Sequence, residues 1–211
     1  MSAMLKSWKT LVATGLAIVA VSCGDMATDS RSPVQLTLLS LQAASGSMPD
    51  EFGSTLHSDV VTNVQQTVGG QQVSVPTIFG DNGEARFAII LKDPGSDPTS
   101  PAAPSELNWV TVTRYRVVYR RTDGRNTPGV DVPFPFDSGV TVTVTGDGGS
   151  AGFQLVRTSA KQEAPLRPLV NNPDIISTIA DVTFYGRDQA GNDVSVTGSI
   201  GIDFGNFGDP Q

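Results

Sequence analysis

The stretch ISTIADVTFYGRDQAGNDVSVTGSIGIDF, Ile176 to Phe204, decides the fold. Ile176, Ala180, Val182 and Phe184 face one way along an extended chain whose side chains alternate. The turn-forming run DQAGND, Asp188 to Asp193, reverses direction, and Val194, Val196, Ile200, Ile202 and Phe204 return on the same face. This is a β-hairpin. A slip of one residue would turn every apolar side chain outward, so burial of one face fixes its register.

The same period of two recurs upstream. Val140, Val142 and Val144 alternate with Thr141, Thr143 and Thr145, a strand of β-branched residues. Trp109 to Thr122 reads as the longest strand, with Trp109, Thr111, Thr113, Tyr115, Val117 and Tyr119 on one face. Val110, Val112, Arg114, Arg116, Val118 and Arg120 then share the other. Phe153 with Leu155, Phe87 with Ile89 and Leu91, and Val34 with Leu36 and Leu38 predict three more strands. Val73, Val75 and Ile78 suggest a short one that Pro76 confines to an edge or a bulge. Asp81-Asn82-Gly83 reads as a turn, and Val60, Val61, Val64 and Val68 lie in a stretch of no clear type. Pro94, Pro98, Pro101 and Pro104 make residues 93–106 a long extended loop, and Pro165, Pro168 and Pro173 exclude a long helix between Lys161 and Asp174. With no Rossmann-type alternation of strands and helices, the expected fold is all-β, an antiparallel sandwich of about seven to nine strands. Residues 33–211 form its single domain, because the chain before the Pro-rich loop is too short for a comfortable domain of its own.

Composition narrows the function. Among 211 residues, 22 Gly and 14 Pro mark a turn-rich chain, and 38% apolar residues suffice for a core. Acidic residues outnumber basic ones by 21 to 14, a net charge of −7, which argues against nucleic acid as a partner. One Cys and one His leave little room for thiol or zinc chemistry.

The N-terminus reads as a targeting segment. Lys6 and Lys9 precede an apolar run from Leu11 to Val21, too short for a bilayer span of about 20 residues but suited to a signal peptide. Ala20-Val21-Ser22-Cys23 resembles the lipobox of bacterial lipoproteins, with Ala20 where Leu is usual. That resemblance implies removal of residues 1–22, lipidation of Cys23 and attachment to a bacterial membrane in the cell envelope. Two or more acyl chains give the stable hold that one chain does not. Gly24, rather than Asp, after the Cys points to the outer membrane. Loss of Lys6 and Lys9 would take the net charge from −7 to −9. Residues 23–32 then form the lipidated Cys and a polar tether.

The closing hairpin, with Asp188, Ala190, Gly191 and Asn192 at its tip, is similar to the last strands of bacterial immunoglobulin-like and fibronectin type III-like modules. The resemblance implies a β-sandwich displayed outside the cell as a spacer, an adhesive module or a carbohydrate-contacting appendage. With DGRNTPGVDVP, Asp123 to Pro133, the chain also resembles uncharacterised bacterial lipoproteins.

Catalytic chemistry finds no constellation. His57 lies between Leu56 and Ser58-Asp59, but adjacent residues cannot adopt triad geometry, and there is no Gly-x-Ser-x-Gly elbow. The 17 Asp and 4 Glu fall mostly in turns, and no pair suggests the carboxylates, about 5 to 9.5 Å apart, of a glycosidase. A non-enzymatic module is expected, without a cofactor. Calcium is the candidate ion, at Asp81 to Glu84 or at Asp188, Asn192 and Asp193, which would suit a carbohydrate-binding or adhesion module. Neither loop matches an EF-hand, and the same residues form turns. The most unusual feature is basic: Arg114, Arg116, Arg120, Arg121 and Arg125 fall within 12 positions. They could meet phosphates, acidic sugars or carboxylates of an envelope protein or extracellular polymer, or pair across strands with the chain's own Asp residues.

Overall fold

The computed structural model describes residues 31–97 and 99–207. The signal peptide of residues 1–22, Cys23 and tether residues 24–30 lie outside them. The described residues contain ten strands: β1 (Val34–Ala44), β2 (Thr55–Asp59), β3 (Thr62–Val68), β4 (Gln71–Thr77), β5 (Asp81–Leu91), β6 (Val110–Arg120), β7 (Phe136–Val144), β8 (Gly149–Val156), β9 (Ile176–Asp188) and β10 (Asp193–Gly205). A three-stranded sheet, β1-β5-β8, faces a five-stranded sheet, β2-β10-β9-β6-β7, while β3 and β4 pair only with each other. All neighbours are antiparallel except β2, which lies parallel to β10. The count exceeds the expected range because β2 and β3 occupy the stretch around Val60 and Val61, where no alternation was legible.

The β9–β10 hairpin forms as its pattern predicts. Ala180, Val182, Phe184, Val194, Ile200, Ile202 and Phe204 are buried, and Val182 lies opposite Gly198, Ile200 opposite Ala180. Phe184 sits at the centre of the core, edge-on to Phe87 of β5 at 4.9 Å and to Phe153 of β8 at 5.3 Å between ring centroids. Two tyrosines of β6 stitch the sheets together. Tyr115 Oη donates to the Gln154 carbonyl at 3.0 Å and Tyr119 Oη to the Leu155 carbonyl at 2.7 Å, so each buried hydroxyl keeps a partner. Burial pushes the Tyr119 phenol well above its ordinary range.

Two readings need correction. The faces of β6 do not run unbroken: its pairing slips between Val112 and Arg114, a bulge that adds Thr113. Val110 and Val112 therefore share the core face with Tyr115, Val117 and Tyr119, and Thr111, Arg114, Arg116, Val118 and Arg120 point outward. Asp81-Asn82-Gly83 is likewise no turn but the start of β5. A Cβ on Gly83 would lie 2.4 Å from the Phe153 ring, so the glycine there makes room for an aromatic side chain. The chain reverses instead at Gly69 and Gly70, both at positive φ, between β3 and β4.

The sandwich has two distinguishable ends. At one, beside the β9–β10 turn, Ser32 is buried and bonds to the Asp188 carboxylate. At the other, the Lys161 ammonium is buried under the sheets. It donates to Asp81 Oδ1 and to the Asp59 carbonyl, both at 2.8 Å. Asp81 also accepts from the Ser58 hydroxyl at 2.6 Å and from the Gly46 N–H at 2.8 Å, so four chain segments meet on one carboxylate. Lys161 closes a single helical turn, Thr158–Lys161, and a short 3-10 turn follows at Arg167–Asn171.

Candidate interaction face

The outer face of the five-stranded sheet carries the arginines. The β6 bulge turns Arg114, Arg116 and Arg120 to one side, with β7 on their one flank and β9 on the other. Arg114 Nη1 donates to Asp137 Oδ1 at 2.7 Å and Arg116 Nη1 to Asp137 Oδ2 at 3.1 Å, so one carboxylate on β7 holds two guanidinium groups. Arg120 grips Asp181 of β9 with Nε at 2.6 Å and Nη2 at 3.3 Å. Asp181 accepts from the Ser199 hydroxyl as well, at 2.6 Å. Partial burial would raise its pKa, but the bonds from Arg120 and Ser199 outweigh this and hold it below the ordinary value. Beyond the end of β6, Arg121 and Arg125 share Asp123, and their hydrogen bonds keep that carboxyl well below the usual range.

The five arginines thus use three carboxylates, and the cluster keeps an excess of positive charge on an acidic chain. Arg114, Arg116 and Arg120 remain about half exposed, at 49%, 45% and 45%. Arg114 and Arg116 each spend one of five N–H donors on Asp137. The pairs fix the planar guanidinium groups without covering them, leaving donors for the oxygens of a second anion. Around them lie hydroxyls: Thr183 and Thr197 share a hydrogen bond of 2.9 Å across β9 and β10. An aromatic ring also shares this face, contrary to what β6 alone suggests. Tyr185 of β9 lies opposite Arg114, whose guanidinium carbon stands 3.9 Å from the ring centroid. A reading confined to one strand could not show it, because the ring comes from a residue distant in sequence.

The Asp188 to Asp193 tip is wired as a turn. Asp188 Oδ1 accepts from the N–H groups of Ala190 at 3.0 Å and Asn192 at 2.8 Å, and Oδ2 from the Asn192 side chain at 2.9 Å. Burial works against the Asp188 anion, but these donors and Ser32 prevail and lower its pKa. Asp193 pairs instead with Arg187 at 2.7 Å. Both carboxylate oxygens of Asp188 and one of Asp193 are therefore engaged by the chain's own donors. The second candidate loop, Asp81 to Glu84, is part of β5, with Asp81 bound to Lys161. Among the described residues no group of three His, Cys, Asp or Glu side chains is placed to hold a metal ion.

His57 and Ser58 alternate on β2 and so diverge. His57 is exposed, with Nδ1 3.6 Å from Asp203, whereas Ser58 is buried against Asp81. The Ser58–Asp81–Lys161 cluster escaped the sequence because Asp81 stands in a turn-like tripeptide and Lys161 among prolines. Val60 and Val61, next to Ser58-Asp59 in sequence, are buried in the connection between β2 and β3 and were the available hint of burial there. A shallow depression lies near the Ser32 end of the sandwich, bordered by Pro104, Glu106, Trp109 and Asp147. No family model, curated protein or solved structure matches this chain.

Proposed function

We propose that the chain is a cell-envelope lipoprotein, anchored to a bacterial membrane, with the outer membrane favoured, through acylated Cys23. Its sandwich serves as a non-enzymatic binding module for an anionic envelope protein or extracellular polymer. The lipobox-like Ala20 to Cys23 supports the anchor. The buried Ser32 supports the geometry: the tether meets the sandwich at the β9–β10 turn, so the opposite end would point away from the bilayer.

The observation that carries the binding role is the pairing of Arg114 and Arg116 on the single carboxylate of Asp137, which holds two half-exposed cations in place with donors to spare. A face held this way meets a phosphate, sulfate or carboxylate without first ordering its side chains, which lowers the entropic cost of binding. The test is capture from native envelopes and culture polymer by residues 24–211, beside the variant Arg114→Gln, Arg116→Gln, Arg120→Gln. Exposed ion pairs contribute at most about 1 kcal/mol each, so the variant should fold and melt near the wild type. Recovery of the partner should fall at least tenfold, and wild-type capture should weaken as salt rises. Equal recovery by both proteins contradicts the assignment of this face.

A further inference from the structure

The β3–β4 hairpin belongs to neither layer of the sandwich. Its two strands pair only with each other, and every residue from Gln65 to Ser74 is exposed. An isolated two-stranded hairpin is marginally stable in water and gains from further strands or a covering face. The register shows which face lacks cover. Val64 lies opposite Val75, Gln66 opposite Val73 and Val68 opposite Gln71, so Val64, Val68, Val73 and Val75 share one side. Val68 is 60% exposed and Val73 44%.

The arm also lacks the usual guards of an exposed edge. Sheet edges are ordinarily protected from one another by charges, prolines or bulges. β3 has none of these, and β4 has only Pro76, near its base. From Val60 to Gly80 the chain carries no charged residue, although Asp59 and Asp81 bracket it and the whole chain has a net charge of −7. A second copy of an acidic molecule is repelled over most of its surface but can approach this segment. Gln65, Gln66, Gln71 and Gln72 offer side-chain amides able to bond to their own kind across a strand pair.

We infer that this arm is a self-association surface, in which β3 of one molecule pairs antiparallel with β3 of a second copy about a two-fold axis near Gln65. The pairing joins two hairpins into a four-stranded sheet and places the valines of both copies on a common face. It is isologous, so it closes at two copies. The inference stands whether or not Cys23 is acylated.

Sedimentation equilibrium of residues 24–211 tests it, since that piece contains all ten strands and the whole core. The wild type should approach twice the monomer mass with rising concentration. Gln65→Lys puts two like charges opposite each other at the axis and should raise the dissociation constant at least tenfold. Gln72→Lys, the same charge on exposed β4, should change it less than about twofold. Both positions are exposed, and matched melting curves confirm that the variants fold. A wild type that stays monomeric at the highest concentration overturns the inference, whatever else binds the arm. So does a Gln65→Lys protein that dimerises like the wild type, or a Gln72→Lys protein as impaired as Gln65→Lys.

Discussion

An Asp81→Ala protein should be about 3 to 5 kcal/mol less stable than the wild type, the range for breaking a buried ion pair from one side. For a domain of this size that is a fall in melting temperature of roughly 10 °C. The substitution leaves the Lys161 ammonium, 1% exposed, with the Asp59 carbonyl as its remaining hydrogen-bond partner here, and takes the acceptor from the Ser58 hydroxyl and the Gly46 N–H. Lys161→Met should cost less, because Asp81 then keeps two donors while the thioether occupies the space of the lysine stem. The double variant should be more stable than Asp81→Ala alone, since it removes the stranded charge. It should not regain wild-type stability, because Ser58 and Gly46 stay unpaired. Thermal melts followed by circular dichroism, with urea titrations to extract free energies, check the order. An Asp81→Ala protein within about 1 kcal/mol of the wild type would mean that the four segments meeting on this carboxylate do not depend on it.

Phe184→Ala should have a comparable effect by a different route, about 3 to 5 kcal/mol for loss of a large aromatic side chain from a packed core. Phe184 is fully buried, and its ring meets Phe87 and Phe153 of the opposite sheet and lies 6.1 Å from Tyr115 on the neighbouring strand. The cavity would open where the two layers touch, so neither sheet could collapse to fill it without bending the other. Phe134, 49% exposed in the loop before β7, provides the contrast: its replacement by Ala should shift the melt by only a few degrees at most. Similar losses at both positions would contradict the placement of the core.

The features legible in the sequence were those written in a regular period. In the β9–β10 hairpin nearly every second residue is apolar over two long runs, with Thr178 and Gly198 as the interruptions, and the structure follows that pattern from Ile176 to Phe204. A single inserted residue defeats such a reading. The Thr113 bulge moves Val110 and Val112 to the face of Tyr115 and so reassigns the first residues of β6, and only its pairing with β7 and β9 reveals the shift. Asp81-Asn82-Gly83 misleads because the chemistry that favours turns also serves other purposes. Here Asp81 binds a buried ammonium and Gly83 accommodates the Phe153 ring. The arginine cluster was visible as composition, but its carboxylate partners on β7 and β9 and the Tyr185 ring depend on which strands lie beside β6. That order is set by long-range pairing, which local periodicity does not encode.

The proposed anchoring of a binding module to the envelope through Cys23 can be read from the intact mass of the protein purified from the membrane fraction. The expected chain begins at Cys23, lacks residues 1–22 and carries the added mass of a diacylglycerol and an N-terminal acyl group, while a Cys23→Ser protein appears in the soluble fraction. A membrane-bound chain that retains residues 1–22, or that is cut elsewhere and bears no lipid, contradicts it.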